Sequence, residues 1–378
     1  MTVALSGTAA AWRARAQHFA NAELRPRAPE IDRADALPET VVRGLAREGF
    51  FGLGIPTAWG GRGGDTRSVV AVLEEIARAN AAVAVELSVH LSVCAQPILA
   101  AGTDEQRRTY LTPLARGEIL GAFALSEPGS GSDAGALRTR YRRLPDGFEL
   151  SGTKMFISNA ASAGVMLLFA TRDPGLGHQG ISAFVVPPRT AGISVAPQLE
   201  KLGLHGSETR EVVLDRARLP DTALLGAEGE GLKIALTALS GGRVGIASCA
   251  LGVARAALDE MVRNVRRDDA EWKRHLLARA FAEVEAAAAV VADAASRKDA
   301  GSEFVLQASV AKLLASRAAV ATASAGLDVA AEAGARSGSE AERLFRDARV
   351  FPIVEGTSEI QELVVARAVL GAPGTSIV

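Results

Sequence analysis

The chain is poor in the residues and patterns that assign a chemistry directly. Its 378 residues include two cysteines, Cys94 and Cys249, far apart in sequence. That spacing makes no metal knot and no redox pair, and fits reduced, buried thiols. The five histidines (His18, His90, His178, His205 and His275) form no H-E-x-x-H or similar pair, so no catalytic metal is expected. Charge of one sign is also missing: 42 basic residues stand against 43 acidic ones. The net of −1 leaves no electrostatic case for nucleic acid. No secretory apolar segment opens the chain, where Ser6, Gly7 and Thr8 lead into a helix carrying Arg13, Arg15 and Gln17. Apolar runs such as residues 286–292 are too short, and too closely flanked by charge, to span a bilayer. These absences point to a soluble, cytoplasmic protein with no membrane partner.

What is present divides into three parts, too much chain for one simple core. Residues 1–117 read as helical: Val69, Val72, Leu73, Ile76 and Ala77 recur at helix spacing, as do Leu87, Leu91, Ala95, Ile98 and Leu99. Across residues 118–222 the pattern changes to short β-branched runs with turns, notably 165–170, 181–186 and 211–214. Residues 223–378 return to helices, with alanine-rich stripes at 247–265, 276–295 and 304–325 that suit close packing in a bundle. The expected fold class is α+β, mainly α. It comprises an N-terminal helical domain, a small central β-barrel-like domain and a C-terminal four-helix bundle.

Three segments carry candidate chemistry. Residues 354–361 read Val-Glu-Gly-Thr-Ser-Glu-Ile-Gln. Ser358 and Gln361 have capping-box spacing, and Ile360, Leu363, Val364 and Ala368 give an apolar helical face after them. Glu355 then lies outside the helix, on a loop that its N-terminus holds, where a glutamate can serve as a general base. The same pattern is also ordinary helix-start grammar. Residues 123–133, Phe-Ala-Leu-Ser-Glu-Pro-Gly-Ser-Gly-Ser-Asp, run from a strand into a turn whose N–H groups and hydroxyls (Ser126, Ser130, Ser132) can bind an anion, or can form a plain solvated loop. Residues 152–160, Gly-Thr-Lys-Met-Phe-Ile-Ser-Asn-Ala, follow a strand and turn.

Further pieces fall in register with these: residues 201–209 (Lys-Leu-Gly-Leu-His-Gly-Ser-Glu-Thr), 225–231, Gly241-Gly242-Arg243, and 343–348 (Arg-Leu-Phe-Arg-Asp-Ala). In this order the chain resembles the acyl-CoA dehydrogenase family, from about Phe19 to Gly371. The resemblance implies flavin-dependent α,β-dehydrogenation of an acyl thioester, carried by CoA or by an acyl carrier protein. Glu355 would take the α proton and N5 of FAD the β hydride. Phe123, Leu125 and Ser126 match the strand that lines the isoalloxazine ring. Ser132 matches a serine near the pyrophosphate and the thioester. Phe156 and Ser158 match an aromatic residue and a hydroxyl beside the flavin. Thr357 and Glu359 match residues at the adenosine portion. On the substrate side stand Ser132, Gly356 and Arg243; an arginine paired within the bundle is the other reading of Arg243. Val83, Leu87 and Leu91 are candidates for the acyl cavity. The resemblance also implies an electron-transferring flavoprotein as partner and a homodimer or homotetramer.

The chain departs from the pattern in two stretches implied to reach the FAD of a neighbouring subunit. The Arg-x-x-Phe-Gly segment gives way to a shorter run containing Arg266 and Arg267, with no Phe-Gly. Later, Asp328 replaces a glutamine and Glu332 a glycine. Both place carboxylates near an expected pyrophosphate, where like charges oppose binding. Ser240 stands where an aspartate precedes the arginine. These changes keep a second reading open: a non-redox acyl-thioester-binding protein, or an enzyme that uses Glu355 for α-proton transfer without flavin. A flavin monooxygenase on the same scaffold is a weaker third.

Overall fold

A computed structural model describes residues 7–371; Ser6, expected at the start of the first helix, lies outside the described residues. Helices fill the chain from Gly7 to Arg116. The helix Thr66–Ala79 shows how they are built. Asp65 caps it by accepting the Ser68 N–H, and Val70, Val72, Leu73, Ile76 and Ala77 form its buried stripe. The second apolar series is less regular than its spacing suggested. Helix Ala81–Ser88 passes through a π-helical turn, Val89–Ala95, before Gln96–Ala101.

Among the described residues the middle of the chain forms one sheet of eight strands. They are β1 (Leu120–Ala124), β2 (Arg140–Leu144), β3 (Gly147–Ser158), β4 (Ala163–Thr171), β5 (Ile181–Val186), β6 (Ile193–Gln198), β7 (Thr209–Pro220) and β8 (Leu224–Leu225). Their order is β6-β7-β3-β2-β4-β5-β8, with β1 pairing parallel to β4. Strand β4 explains the two-sided burial. Val165, Leu167 and Phe169 face a core shared with Cys94, Ile98, Leu111 and Leu114 of the N-terminal helices. Met166, Leu168 and Ala170 face a second core, filled by Tyr141, Phe148, Phe184, Val212 and Leu214 from the sheet itself. The sheet curls around that second core, as a barrel-like domain requires.

Long helices follow: Gly231–Asn264, Glu271–Asp299 and Val305–Gly334, with the shorter Glu340–Ala348 and Ser358–Leu370. Alanines 247, 254, 287, 294, 311, 315 and 319 are fully buried between them, which lets the backbones approach closely. One sequence reading needs correcting here. Three segments, Ala81–Ala101, Gly231–Asn264 and Val305–Gly334, are long and apolar enough to cross a membrane. Their apolar faces are used inside the fold, with 78%, 72% and 44% of those windows buried.

Helix Val305–Gly334 is broken at Ala331, which has φ 50° and ψ −135°. Such a conformation suits glycine and strains an alanine by about 1–3 kcal/mol. Glycine would lose roughly 0.4–1 kcal/mol through the greater freedom of its unfolded chain. Strain relief wins, so Ala331→Gly should raise stability by about 1 kcal/mol. A urea unfolding midpoint that stays put or falls would contradict that backbone geometry.

Candidate active site

Glu355 sits in the turn before helix Ser358–Leu370. The expected capping box does not form. Thr357 is the cap, its Oγ1 accepting the Ile360 N–H at 3.3 Å. Ser358 is already inside the first turn, its N–H donating to Pro352 O at 2.8 Å. Gln361, fully buried, reaches back to the carbonyls of Gly356 (3.0 Å) and Glu355 (3.4 Å). These bonds hold two successive left-handed residues, Glu355 at φ 53° and Gly356 at φ 92°. The first is strained for a side chain with a Cβ; the second is natural only to glycine. The result turns the Glu355 side chain inward.

Both Glu355 carboxylate oxygens are buried and have no hydrogen-bond partner. They lie over Gly242, in the middle of helix Gly231–Asn264, where any Cβ would overlap Oε2. The Gly241-Gly242 pair is therefore a notch, with Lys298 Nζ passing Gly241 and the carboxylate occupying the space above Gly242. Arg243, the next residue, is buried and makes one long hydrogen bond, from Nη1 to Ser309 Oγ at 3.4 Å; its Nε has no partner. Burial pulls the guanidinium below its ordinary value, and Glu355 opposes the fall. Lys312, on helix Val305–Gly334, is fully buried with Nζ unpartnered, and burial pushes its pKa down to about 8. Burial likewise pushes Glu355 up to about 7, with Arg243 and then Lys312 pulling it back.

A second cluster forms around the end of β1. Met155 N–H donates to Ser126 O at 2.9 Å and joins the Gly/Ser turn to β3. Beneath it, Lys154 is fully buried and donates to Glu127 Oε1 (2.8 Å) and Leu125 O (3.0 Å). Glu127 also accepts the N–H groups of Arg138 (2.6 Å) and Thr139 (2.9 Å). Burial alone would raise this carboxyl; Lys154 and those donors outweigh it and hold it low. A bulge in β3 follows, where Phe156 adopts φ 62° and stands 66% exposed, a large aromatic surface facing outward. Ser126 and Ser158 are half-buried with hydroxyls that no group among the described residues engages, and Ser132 is exposed at the tip of the turn. Phe123 is half-buried edge-on to Phe169 at 5.1 Å. Leu125 packs into the core below, so it supports the turn rather than presenting a side chain.

The π-helical segment Val89–Ala95 lies between the two clusters. Val93 approaches Gly242 beside the carboxylate, while Cys94 packs on Gly121 of β1 and His90 Nδ1 accepts the Gly121 N–H at 3.3 Å. Val83, Leu87 and Leu91 are packed in the main core; Val93, together with Ser88 near Gly245, comes closer to the glycine face. Thr357 has its hydroxyl committed to the cap, and Glu359 is exposed on the first turn. Ser240 donates to Leu236 O within its own helix. Sequence reasoning missed Lys312, Glu127, Lys154 and the notch at Gly242. The notch had a signal, since two consecutive glycines inside a helix are costly unless something must pass close.

An outward aromatic on a bulge, unengaged hydroxyls beside it and a turn pinned by a buried ion pair fit the isoalloxazine end of a flavin. Asp328 and Glu332, by contrast, are exposed, Glu332 pairing with Arg336 at 3.5 Å. Arg266 and Arg267 are exposed on the loop after helix Gly231–Asn264.

Such a chain, with a desolvated carboxylate on one side and an exposed aromatic beside unengaged hydroxyls on the other, is of the class that oxidises acyl thioesters. Family models agree along its length. The N-terminal domain of acyl-CoA dehydrogenase matches residues 6–118, the middle domain 122–217 and the C-terminal domain 229–370, and the chain belongs to that family. It is 40% identical to an acyl-CoA dehydrogenase of Bacillus subtilis (strain 168), covering 93% of this chain and 95% of that one. It is 39% identical to the human mitochondrial short-chain specific acyl-CoA dehydrogenase, covering 92% and 86%. Among solved structures it is similar to butyryl-CoA dehydrogenase from Megasphaera elsdenii. That match has TM-score 0.94 and 34% identity, covering 98% of this chain and all of that one. The activity is FAD-dependent α,β-dehydrogenation of an acyl thioester, and the non-redox alternative falls away.

Glu127→Ala would leave Lys154 buried and unpaired, a change that costs about 3–5 kcal/mol. We expect a loss of that order in urea unfolding, together with loss of FAD on gel filtration. A loss under about 1 kcal/mol with FAD retained would show that the pair does not hold the turn.

Proposed function

We propose that this enzyme oxidises short-chain acyl-CoA thioesters, with Glu355 as the base. The observation that carries this reading is the Glu355 carboxylate, buried without a partner over Gly242. The α proton of a thioester is too weakly acidic for a solvated carboxylate to remove efficiently. Burial raises the proton affinity of Glu355, and Arg243 keeps the anion accessible. The Glu355 N–H itself has no partner among the described residues and is available to a thioester carbonyl oxygen. Gly356 supplies the left-handed conformation that presents this N–H, and its missing Cβ makes room for the Gln361 amide behind the turn. The α proton passes to Glu355 and a Cα–Cβ double bond forms. Bound FAD supplies the acceptor for the β hydride, and the residues that would hold it are Phe156, Ser126, Ser158 and the 126–133 turn.

Two features support a short acyl group. Ser88 Oγ comes within 2.7 Å of the Cβ position at Gly245, three residues along the helix from Gly242. That is roughly 4.5 Å further along the axis, so side chains close on the helix soon after the carboxylate. At Gly252 the backbone of helix Thr66–Ala79 packs directly against the same face. CoA is the carrier we favour, because relatives at 34–40% identity are named for CoA thioesters, whereas a similar structure named for an acyl carrier protein substrate is 26% identical. An electron-transferring flavoprotein as acceptor follows from the family pattern. Exposed Phe281, Ile353, Leu363, Val369 and Leu370 on the C-terminal helices and their connections support a homo-oligomer.

Anaerobic mixing of the FAD-loaded protein with butyryl-CoA tests the reading. Wild type should bleach the oxidised flavin band. Glu355→Gln should retain FAD and still bind the thioester, but reduce flavin slower by about 10²–10⁴-fold. Bleaching at the wild-type rate by that variant would remove Glu355 from the mechanism.

A further inference from the structure

The chain contains two fully buried lysines whose settings differ sharply. Lys154 is neutralised by Glu127 and further satisfied by a carbonyl. Lys312 has no hydrogen bond and no salt bridge, although its side chain is wholly inside the bundle. A buried ammonium without a partner costs stability, so a lysine kept for structure alone would resemble Lys154. The neighbours of Lys312 on its own helix place it at the site: Ser309, three residues before it, accepts from Arg243 Nη1 at 3.4 Å, and Ser316, four residues after it, donates to Phe351 O at 3.1 Å, four residues ahead of Glu355, whose carboxylate oxygens are likewise unpartnered. None of these groups comes within salt-bridge distance of another; they act on each other through a short stretch of low dielectric.

We propose that Lys312 is a positioning residue for proton transfer: its unpaired ammonium, buried across the bundle from Gly242, keeps the Glu355 carboxylate ionised and open until the acyl α proton arrives. Direct pairing would defeat this role, because a carboxylate locked to lysine is a poor base. Field without contact serves better. When Glu355 takes the proton, Lys312 and Arg243 are left as uncompensated positive charge facing the electron-rich acyl group. The proposal rests on Glu355 being the base.

The charged and titratable groups around this carboxylate are few. Helix Gly231–Asn264 contributes Arg243 and Cys249, whose thiol burial keeps neutral. Helix Glu271–Asp299 brings Lys298 Nζ against Gly241, and burial lowers the pKa of that ammonium. Helix Val305–Gly334 contributes Lys312, and Glu359, on the helix after Glu355, acts on Lys312 from the exposed side. Burial raises Glu355 and lowers Lys312, and the field of each on the other opposes both shifts. Removing Lys312 takes away one of the two influences that lower the Glu355 pKa, so the pKa must rise.

The test is the pH–rate profile for exchange of the acyl-CoA α proton with deuterated solvent, a step that needs no net electron transfer. In Lys312→Met and Lys312→Gln, the rising limb should move up by about one pH unit. Exchange would then be about ten-fold slower below the midpoint and close to wild type well above it. Lys312→Arg should restore the wild-type midpoint. Uniform loss at every pH, or an unmoved midpoint in either folded neutral variant, would overturn the proposal and leave Lys312 a packing residue. Glu355→Gln distinguishes the two failures. Exchange persisting in that variant refutes the base, whereas exchange lost there but unmoved by Lys312 substitution refutes the lysine alone.

Discussion

An ionisable carboxyl held inside the protein with no partner is the constraint on which the rest of this site depends. Burying such a group unpaired costs several kcal/mol, so the fold must supply that from elsewhere. It does so locally. Thr357 caps the following helix and Gln361 ties the two preceding carbonyls, which together fix two left-handed residues in succession. Gly242 clears the place in the facing helix where the carboxylate sits, since a Cβ there would overlap Oε2. Hydrogen bonds are spent on the backbone of Glu355 so that none is needed by its side chain. That leaves the side chain for substrate.

The flavin side is built on the opposite principle. Glu127 and Lys154 are also buried, but every polar atom of their interaction is used, and the pair locks the turn after β1 to strand β3. One carboxylate–lysine combination is satisfied and rigid; the other is separated and responsive. The same two residue types are thus joined at 2.8 Å in one place and left without partners in the other. The exposed carboxylates of Asp328 and Glu332 belong to neither device. They sit on the surface, where solvent screening weakens their opposition to a phosphate.

Much of this was legible in the sequence. Short apolar, β-branched runs bounded by turns gave β4 and β5, and the alanine stripes gave the bundle, because burial imposes those patterns directly. Glu355 was legible through the Val-Glu-Gly-Thr-Ser pattern ahead of an apolar helix. The cap was misread by one residue. Thr357 and Ser358 are both able to cap, and only the Ser358 N–H bond to Pro352 decides between them. Lys312 was invisible because a lysine in an alanine-rich helix reads as a solvated face; its burial depends on three helices meeting. The π-helical turn at Val89–Ala95 left no mark on the apolar spacing, although it lies between the two halves of the site.

The central claim is that Glu355 is a base because the fold desolvates it. The most direct measurement is its own titration, by isotope-edited infrared difference spectra of the carboxyl band with Glu355→Gln as the reference. The account predicts ionisation near pH 7 in the resting protein. A midpoint in the ordinary carboxylate range near 4.5 would mean that water or a partner reaches the group, and that burial is not what makes Glu355 reactive.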